Sequence, residues 1–258
     1  MHHSHDASSA TPPLSPRPAP PPPADDWALF LDVDGCLLEF AARPDAVVVP
    51  DGLLATLCAQ RDRLDGALAL VSGRGIATLD TLFAPERFLA AGLHGVERRG
   101  RRGRVDDAAA PAALGTLREQ AVRLAAGYPG AVVEDKGAAL GLHWRSAPAA
   151  ETALRAFAEQ ALPQLPGYQL QPGDHVVELR PHHADKGTAI LAFLDEAPFA
   201  GRLPVFAGDD LTDEHGFAAV HAHGGLSILV GDRGGSAARF GLRDPAAVRR
   251  WLATSQGD

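Results

Sequence analysis

Two apolar segments, far apart in the chain, each run straight into a cluster of carboxylates. Ala28-Leu29-Phe30-Leu31 is followed by Asp32-Val33-Asp34-Gly35. Pro204-Val205-Phe206-Ala207 is followed by Gly208-Asp209-Asp210-Leu211-Thr212-Asp213-Glu214. Short continuous apolar runs of this kind read as strands buried in a sheet. Carboxylates crowded at the ends of buried strands lose hydration and repel one another, so they persist only where something offsets their charge. A hard divalent cation with oxygen ligands does so, and Mg2+ typically takes one or two carboxylates plus phosphate oxygens. The two clusters together point to Mg2+-assisted phosphoryl transfer.

Around them the chain alternates strand and helix. Apolar strands are predicted at 28–31, 67–71, 88–91, 203–207 and 226–230, with amphipathic helical segments after most of them. Asp51 is expected to cap the first helix. This rhythm predicts a parallel sheet of βαβ units. Between residues 96 and 181 the rhythm changes. A hairpin over 96–105, closely spaced strands at 132–133, 140–144, 168–170 and 175–179, and helices over 111–126 and 148–162 predict an antiparallel sheet with helices on one face. The expected organisation is a Rossmann-like α/β core from 27–95 and 182–254, with an inserted α+β cap domain from 96–181.

Residues 1–24 hold eight of the 21 prolines and almost no aliphatic side chains, and predict a disordered proline-rich tail. His2, His3 and His5 in that tail do not make a metal site. The net charge of −8 argues against a nucleic-acid partner, because phosphate-backbone binding needs a basic surface. The arginines at 98, 99, 101, 102 and 104 read instead as a solvated hairpin. No run reaches the length of a membrane span, and no signal peptide is visible. Cys36 and Cys58 are the only cysteines, too few for a disulfide framework, so a reduced cytoplasmic location is expected.

The chemistry divides among named residues. Asp32 is the expected nucleophile, forming an aspartyl-phosphate. Asp34, two residues on, protonates the leaving alcohol and then deprotonates the hydrolytic water. Ser72 ends the second strand in the turn Ser72-Gly73-Arg74, whose hydroxyl and backbone N–H groups suit phosphoryl oxygens. The chain has only two lysines, Lys136 and Lys186, against 22 arginines. A retained Lys marks a place for a compact point charge. Lys186, opening a helix after Asp185, is placed to neutralise the nucleophile and the phosphoryl group. Asp32, Asp34, Asp209 and Asp210 are the metal candidates, and Asp213 serves either as a further ligand or as a helix cap.

In this order the motifs resemble those of the haloacid dehalogenase superfamily of phosphotransferases. Asp32-x-Asp34-Gly looks like its first motif, Ser72 its second, Lys186 its third, and Gly208-Asp209-Asp210 with Asp213 its fourth. Cys36 departs from the Thr or Val of many members. Finer features resemble the trehalose-6-phosphate phosphatases: Ser72-Gly73-Arg74, Gly92-Leu93-His94-Gly95, Val133-Glu134-Asp135-Lys136-Gly137, Leu142-His143-Trp144-Arg145 and Val177-Glu178-Leu179-Arg180-Pro181. That resemblance implies hydrolysis of trehalose 6-phosphate with Mg2+. It implies sugar binding by Glu134, Lys136 and Glu178, with Gly73, Arg74, His94 and Arg145 lining the site. The alternatives are another sugar-phosphate phosphatase, such as one for sucrose-phosphate, and a non-enzymatic phospho-acceptor signalling domain.

Overall fold

The computed structural model describes residues 17–40, 47–101, 103, 105–107 and 110–254. Residues 1–16, and with them most of the expected tail and His2, His3 and His5, lie outside the described residues, as do Arg102 and Arg104.

The core is an eight-stranded sheet. Its centre is β1 (Trp27–Leu31), with β10 (Leu203–Gly208) on one side and β2 (Leu68–Val71) on the other. Beyond β10 lie β11 (Leu226–Val230) and β12 (Phe240–Leu242). Beyond β2 lies β3 (Leu89–Gly92). These six strands are all parallel. Every residue of β1 and β2 is buried, as expected for strands covered on both faces. The covering helices are α1 (Leu53–Arg63), α2 (Ile76–Leu82), α5 (Lys186–Leu194), α6 (Asp213–Ala222) and α7 (Pro245–Leu252). Asp185 and Asp244 cap α5 and α7 by accepting from Thr188 N and Ala247 N. The expected cap Asp51 is not one: α1 starts from Gly52, whose φ of 80° suits glycine, with no side-chain cap.

The inserted segment forms a second sheet, β6 (Val132–Asp135), β7 (Leu140–His143), β9 (Val176–Pro181) and β8 (Tyr168–Gly173), in that order and antiparallel throughout. Helices α3 (Ala112–Ala125) and α4 (Glu151–Ala161) pack on one face around Leu117, Leu142, Trp144, Leu154 and Leu179. The hairpin β4 (Glu97–Arg99) and β5 (Val105–Asp107), expected in the cap, instead extends the core sheet antiparallel from β3. Arg99 explains this: its guanidinium is buried in the core, donating to Phe88 O and to both Asp80 carboxylate oxygens.

The tail also departs from expectation. Residues 17–24 run along the core. Pro18 O accepts from Gly241 N of β12 and Pro21 O from Trp251 Nε1 of α7, while Pro20 and Pro23 are buried. Low aliphatic content predicted no docking, but proline carbonyls remain acceptors whatever the side chain. Among the described residues no helix is long and apolar enough to cross a membrane.

Candidate active site

The site forms where three neighbouring parallel strands end. Leu31 of β1 pairs with Ala207 of β10 and Leu70 of β2, so Asp32 emerges beside Gly208-Asp209 on one side and Ser72 on the other. Carboxyl ends of strands in open α/β sheets are where ligands bind. Asp32 is 4% exposed and Lys186 2%. Lys186 Nζ donates to Asp32 Oδ1 at 3.0 Å and to Asp213 Oδ1 at 2.7 Å. Asp213 Oδ2 accepts from the backbone N–H groups of Asp209 and Asp210 at 2.8 and 2.9 Å. A single ammonium thus ties the nucleophile candidate to the acidic loop.

Burial raises the Asp32 and Asp213 carboxyls well above their ordinary value, against the pull of Lys186. Burial opposes charge on Lys186 too, but Asp213 and Asp32 outweigh it and raise its pKa. Burial, with Asp213 and Asp210 beside it, pushes Asp209 up to about 7. Asp209 Oδ1 is buried without a hydrogen-bond partner among the described residues. Oxygens of Asp32, Asp209 and Asp213 lie within 4.8 Å of one another. Close-set carboxylates, one with an orphaned oxygen and resisting ionisation, form a donor set suited to a hard divalent cation.

Two of the expected metal carboxylates are occupied elsewhere. Asp34, beyond the end of β1, is gripped by Arg74 through Nε at 2.6 Å and Nη2 at 2.7 Å. Asp210 Oδ1 closes the turn into α6, accepting from Thr212 N, Thr212 Oγ1 and Asp213 N. Neither joins the group of three, and Asp213 does. Gly35 is required for this packing. Its φ is +78°, and a Cβ there would stand 2.3 Å from Asp209 Oδ2. Gly35→Ala is therefore expected to displace Asp209 and cut turnover about ten- to a hundred-fold, with the metal dissociation constant rising alongside. Unchanged metal titration of the folded variant would contradict this.

Ser72 is buried, its Oγ accepting from Arg74 N at 3.1 Å, which shapes the turn. His94 lies over Gly73, where a Cβ would stand 2.7 Å from His94 Nε2. Burial, then Lys186, Arg180 and Lys136, hold the His94 imidazole well below its ordinary value, which favours the neutral ring. Its Nε2 is 3.9 Å from Glu178 Oε2 of the inserted sheet.

On that sheet Glu134, Gly141 and Glu178 stand in one cross-strand row. The bare glycine leaves room between the two carboxylates, which Lys136 Nζ bridges at 3.5 Å to Glu134 and 2.5 Å to Glu178. His143 Nε2 lies 2.9 Å from Glu134 Oε2. Arg145 is not brought to this group: it lies past the end of β7, exposed and paired with Asp174. His143, two residues earlier, shares the face of Gly141 by strand alternation. Sequence reading also passed over Arg233, which donates to the backbone oxygens of Asp209 and Asp210 at 3.2 and 3.0 Å. No local pattern marks it, since Asp209 and Asp210 are more than twenty residues away.

Comparisons with known proteins agree with one another. A family model described as trehalose-phosphatase matches residues 30–244. A probable trehalose-phosphate phosphatase of Sinorhizobium fredii is 49% identical over 80% of this chain and 78% of its own length. The trehalose-6-phosphate phosphatase of Escherichia coli is 46% identical over 88% of this chain and 85% of its own. A solved trehalose-6-phosphate phosphatase related protein superposes with a TM-score of 0.72 at 26% identity, covering 87% of this chain and 94% of that one.

Proposed function

The chain belongs to the trehalose-phosphatase family, and on that premise we propose that it hydrolyses trehalose 6-phosphate through a phosphoryl group carried by Asp32. The fold is that of the haloacid dehalogenase superfamily, and the activity is phosphatase activity. The observation that carries the mechanism is the buried Asp32–Lys186–Asp213 chain beside Asp209 at adjacent strand ends.

In this reading Asp32 attacks phosphorus and the bond from phosphorus to the sugar oxygen breaks. Asp34 gives that oxygen its proton, and trehalose leaves. Asp34 then takes a proton from water as the water attacks the phosphoryl group, which restores Asp32 and releases phosphate. Arg74, which pairs with Asp34, in this reading passes to the incoming phosphoryl group and so frees Asp34 to carry the proton. Lys186 favours the ionised form of the attacking carboxylate against its burial, and Ser72 with the turn at Gly73 orients the phosphoryl oxygens. Asp32 and Asp209 would hold Mg2+, with Asp213 behind them, and the cation would neutralise charge on the transferred group. We take the chain's site of action to be the cytoplasm, a reading that rests on the small number of cysteines in the sequence.

Specificity is assigned to the inserted sheet. Glu134, Lys136 and Glu178 offer charged hydrogen-bond partners to sugar hydroxyls. Losing such a bond costs roughly ten- to a hundred-fold in specificity. Glu134→Ala, Lys136→Ala and Glu178→Ala should each lower kcat/KM for trehalose 6-phosphate by about that factor and leave para-nitrophenyl phosphate within a few-fold of wild type. Equal losses on both substrates would assign these residues to the fold or the chemistry. The test of the function is phosphate release across trehalose 6-phosphate, sucrose-phosphate and glucose 6-phosphate. Trehalose 6-phosphate should be preferred, EDTA should stop turnover and Mg2+ should restore it. A preference for another sugar overturns the substrate, and indifference to chelation overturns the metal.

A further inference from the structure

We propose that the proline-rich arm, residues 17–24, positions the acidic loop of the active site, with Arg17 on the arm and Arg233 beside the loop as the positioning residues. The inference rests on the reading of Asp209 as a metal-holding carboxylate. The arm lies outside the segment that matches the family, which begins at residue 30.

A continuous path of hydrogen bonds joins the arm to the loop. Arg17 donates through Nε to Ala238 O and through Nη2 to Ser236 O, both at 2.9 Å. Next to these carbonyls, Ala237 N donates to Glu214 Oε2 at 2.9 Å. The other oxygen of Glu214 accepts from Arg233 Nη2. The same guanidinium donates to the backbone oxygens of Asp209 and Asp210. Arg17 thus holds the segment 236–238, Glu214 joins that segment to Arg233, and Arg233 holds the backbone that aims the Asp209 carboxylate over Gly35.

The segment between β11 and β12 depends on such an anchor. It contains Gly231, Gly234 and Gly235, has no helix or strand of its own, and loses much backbone freedom on ordering. The arm reduces that cost from outside, since Pro18 O and Pro21 O are fixed to β12 and α7. Prolines hold their backbone near one φ and bring no N–H that would compete for the sheet edge. Gly241 keeps the approach close, as a Cβ there would stand 3.0 Å from Arg17 Cβ. Without the arm, the metal would have to order this segment on binding, and its affinity would fall. Glu134, Lys136 and Glu178 take no part in this path, so sugar binding should not change.

The test is calorimetric titration of metal-free protein with Mg2+ or Mn2+, well below the melting temperature of every variant. Arg17→Ala and a deletion of residues 1–24 should each raise the metal dissociation constant about tenfold, and Arg233→Ala at least as much. A deletion of residues 1–16, which keeps Arg17, should match wild type. At saturating Mg2+ the KM for trehalose 6-phosphate should stay within about two-fold of wild type. Equal metal affinity in wild type, Arg17→Ala and both deletions would overturn the proposal. So would a lower Tm with unchanged metal affinity, which would make the arm a structural strap. If the longer deletion does not fold, Arg17→Ala decides. A wild type that takes up no metal would overturn the reading of Asp209, and this inference with it.

Discussion

Asp32→Asn should lower phosphate release from trehalose 6-phosphate by at least about 10^4-fold while the protein stays folded. The amide is nearly isosteric and keeps an acceptor oxygen for Lys186, which retains Asp213 as its charged partner at 2.7 Å. What it lacks is a carboxylate oxygen able to form the bond to phosphorus. The loss should be the same for para-nitrophenyl phosphate, because the missing step does not depend on the sugar. Tm should stay near that of wild type, since the burial cost of the charge, with repulsion by Asp209 and Asp210, outweighs the attraction of Lys186 that is lost with it. Substantial turnover by the folded variant would mean that phosphorus is attacked by another group.

Lys186→Met should damage both activity and stability. The methionine fills most of the space, so the effect is electrostatic. Two buried carboxylates, Asp32 and Asp213, lose the ammonium they share, with Asp209 close by. Removing one partner from a buried ion pair typically costs about 3–5 kcal/mol. Part of that cost is avoided by protonation, which gives the variant a distinctive pH dependence. Burial has already raised the folded-state pKa of Asp32 and Asp213. Without Lys186 they rise further, so the folded state binds more protons than the unfolded chain. Stability then falls as pH rises from the unfolded carboxylate value through the raised folded value. Metal-free Lys186→Met should therefore be closer to wild type near pH 5 than near pH 8 in chemical denaturation, and adding Asp213→Asn should recover stability but not activity. A uniform loss at both pH values would point to packing instead of charge.

The residues that sequence reading grouped and the fold also brings together are those whose position is set locally. Asp32, Asp209 and Ser72 follow directly from buried strands, and strand register alone puts them side by side. Lys186 was legible because the chain otherwise uses arginine. Where function depends on what folds against a residue, local pattern fails. Asp210 and Asp213 stand three apart in one acidic cluster, and only the location of Lys186 decides that Asp213 turns inward while Asp210 closes the turn. The pairing of Asp34 with Arg74, forty residues on, leaves no local mark. In Leu142-His143-Trp144-Arg145 the charged residue drew attention, yet the strand ends at His143 and Arg145 is carried past the edge. The hairpin over 97–107 was assigned by its position in the chain, but sheet membership is set by pairing with β3 and by the buried bonds of Arg99. Residues 17–24 read as a tail because they have almost no apolar side chains, whereas their anchors are main-chain carbonyls and one guanidinium.

The most direct test of the account is to find the phosphoryl group on the protein. Wild-type enzyme mixed with trehalose 6-phosphate and Mg2+ is quenched in acid during the first turnover. It is then reduced with borohydride, which converts an aspartyl-phosphate to homoserine, and the peptide covering residues 28–35 is sequenced by mass spectrometry. Homoserine is expected at position 32 with Asp34 unmodified, and no homoserine at either position when Asp32→Asn is used. An unmodified peptide from an enzyme caught in turnover, or homoserine at position 34, would contradict the account.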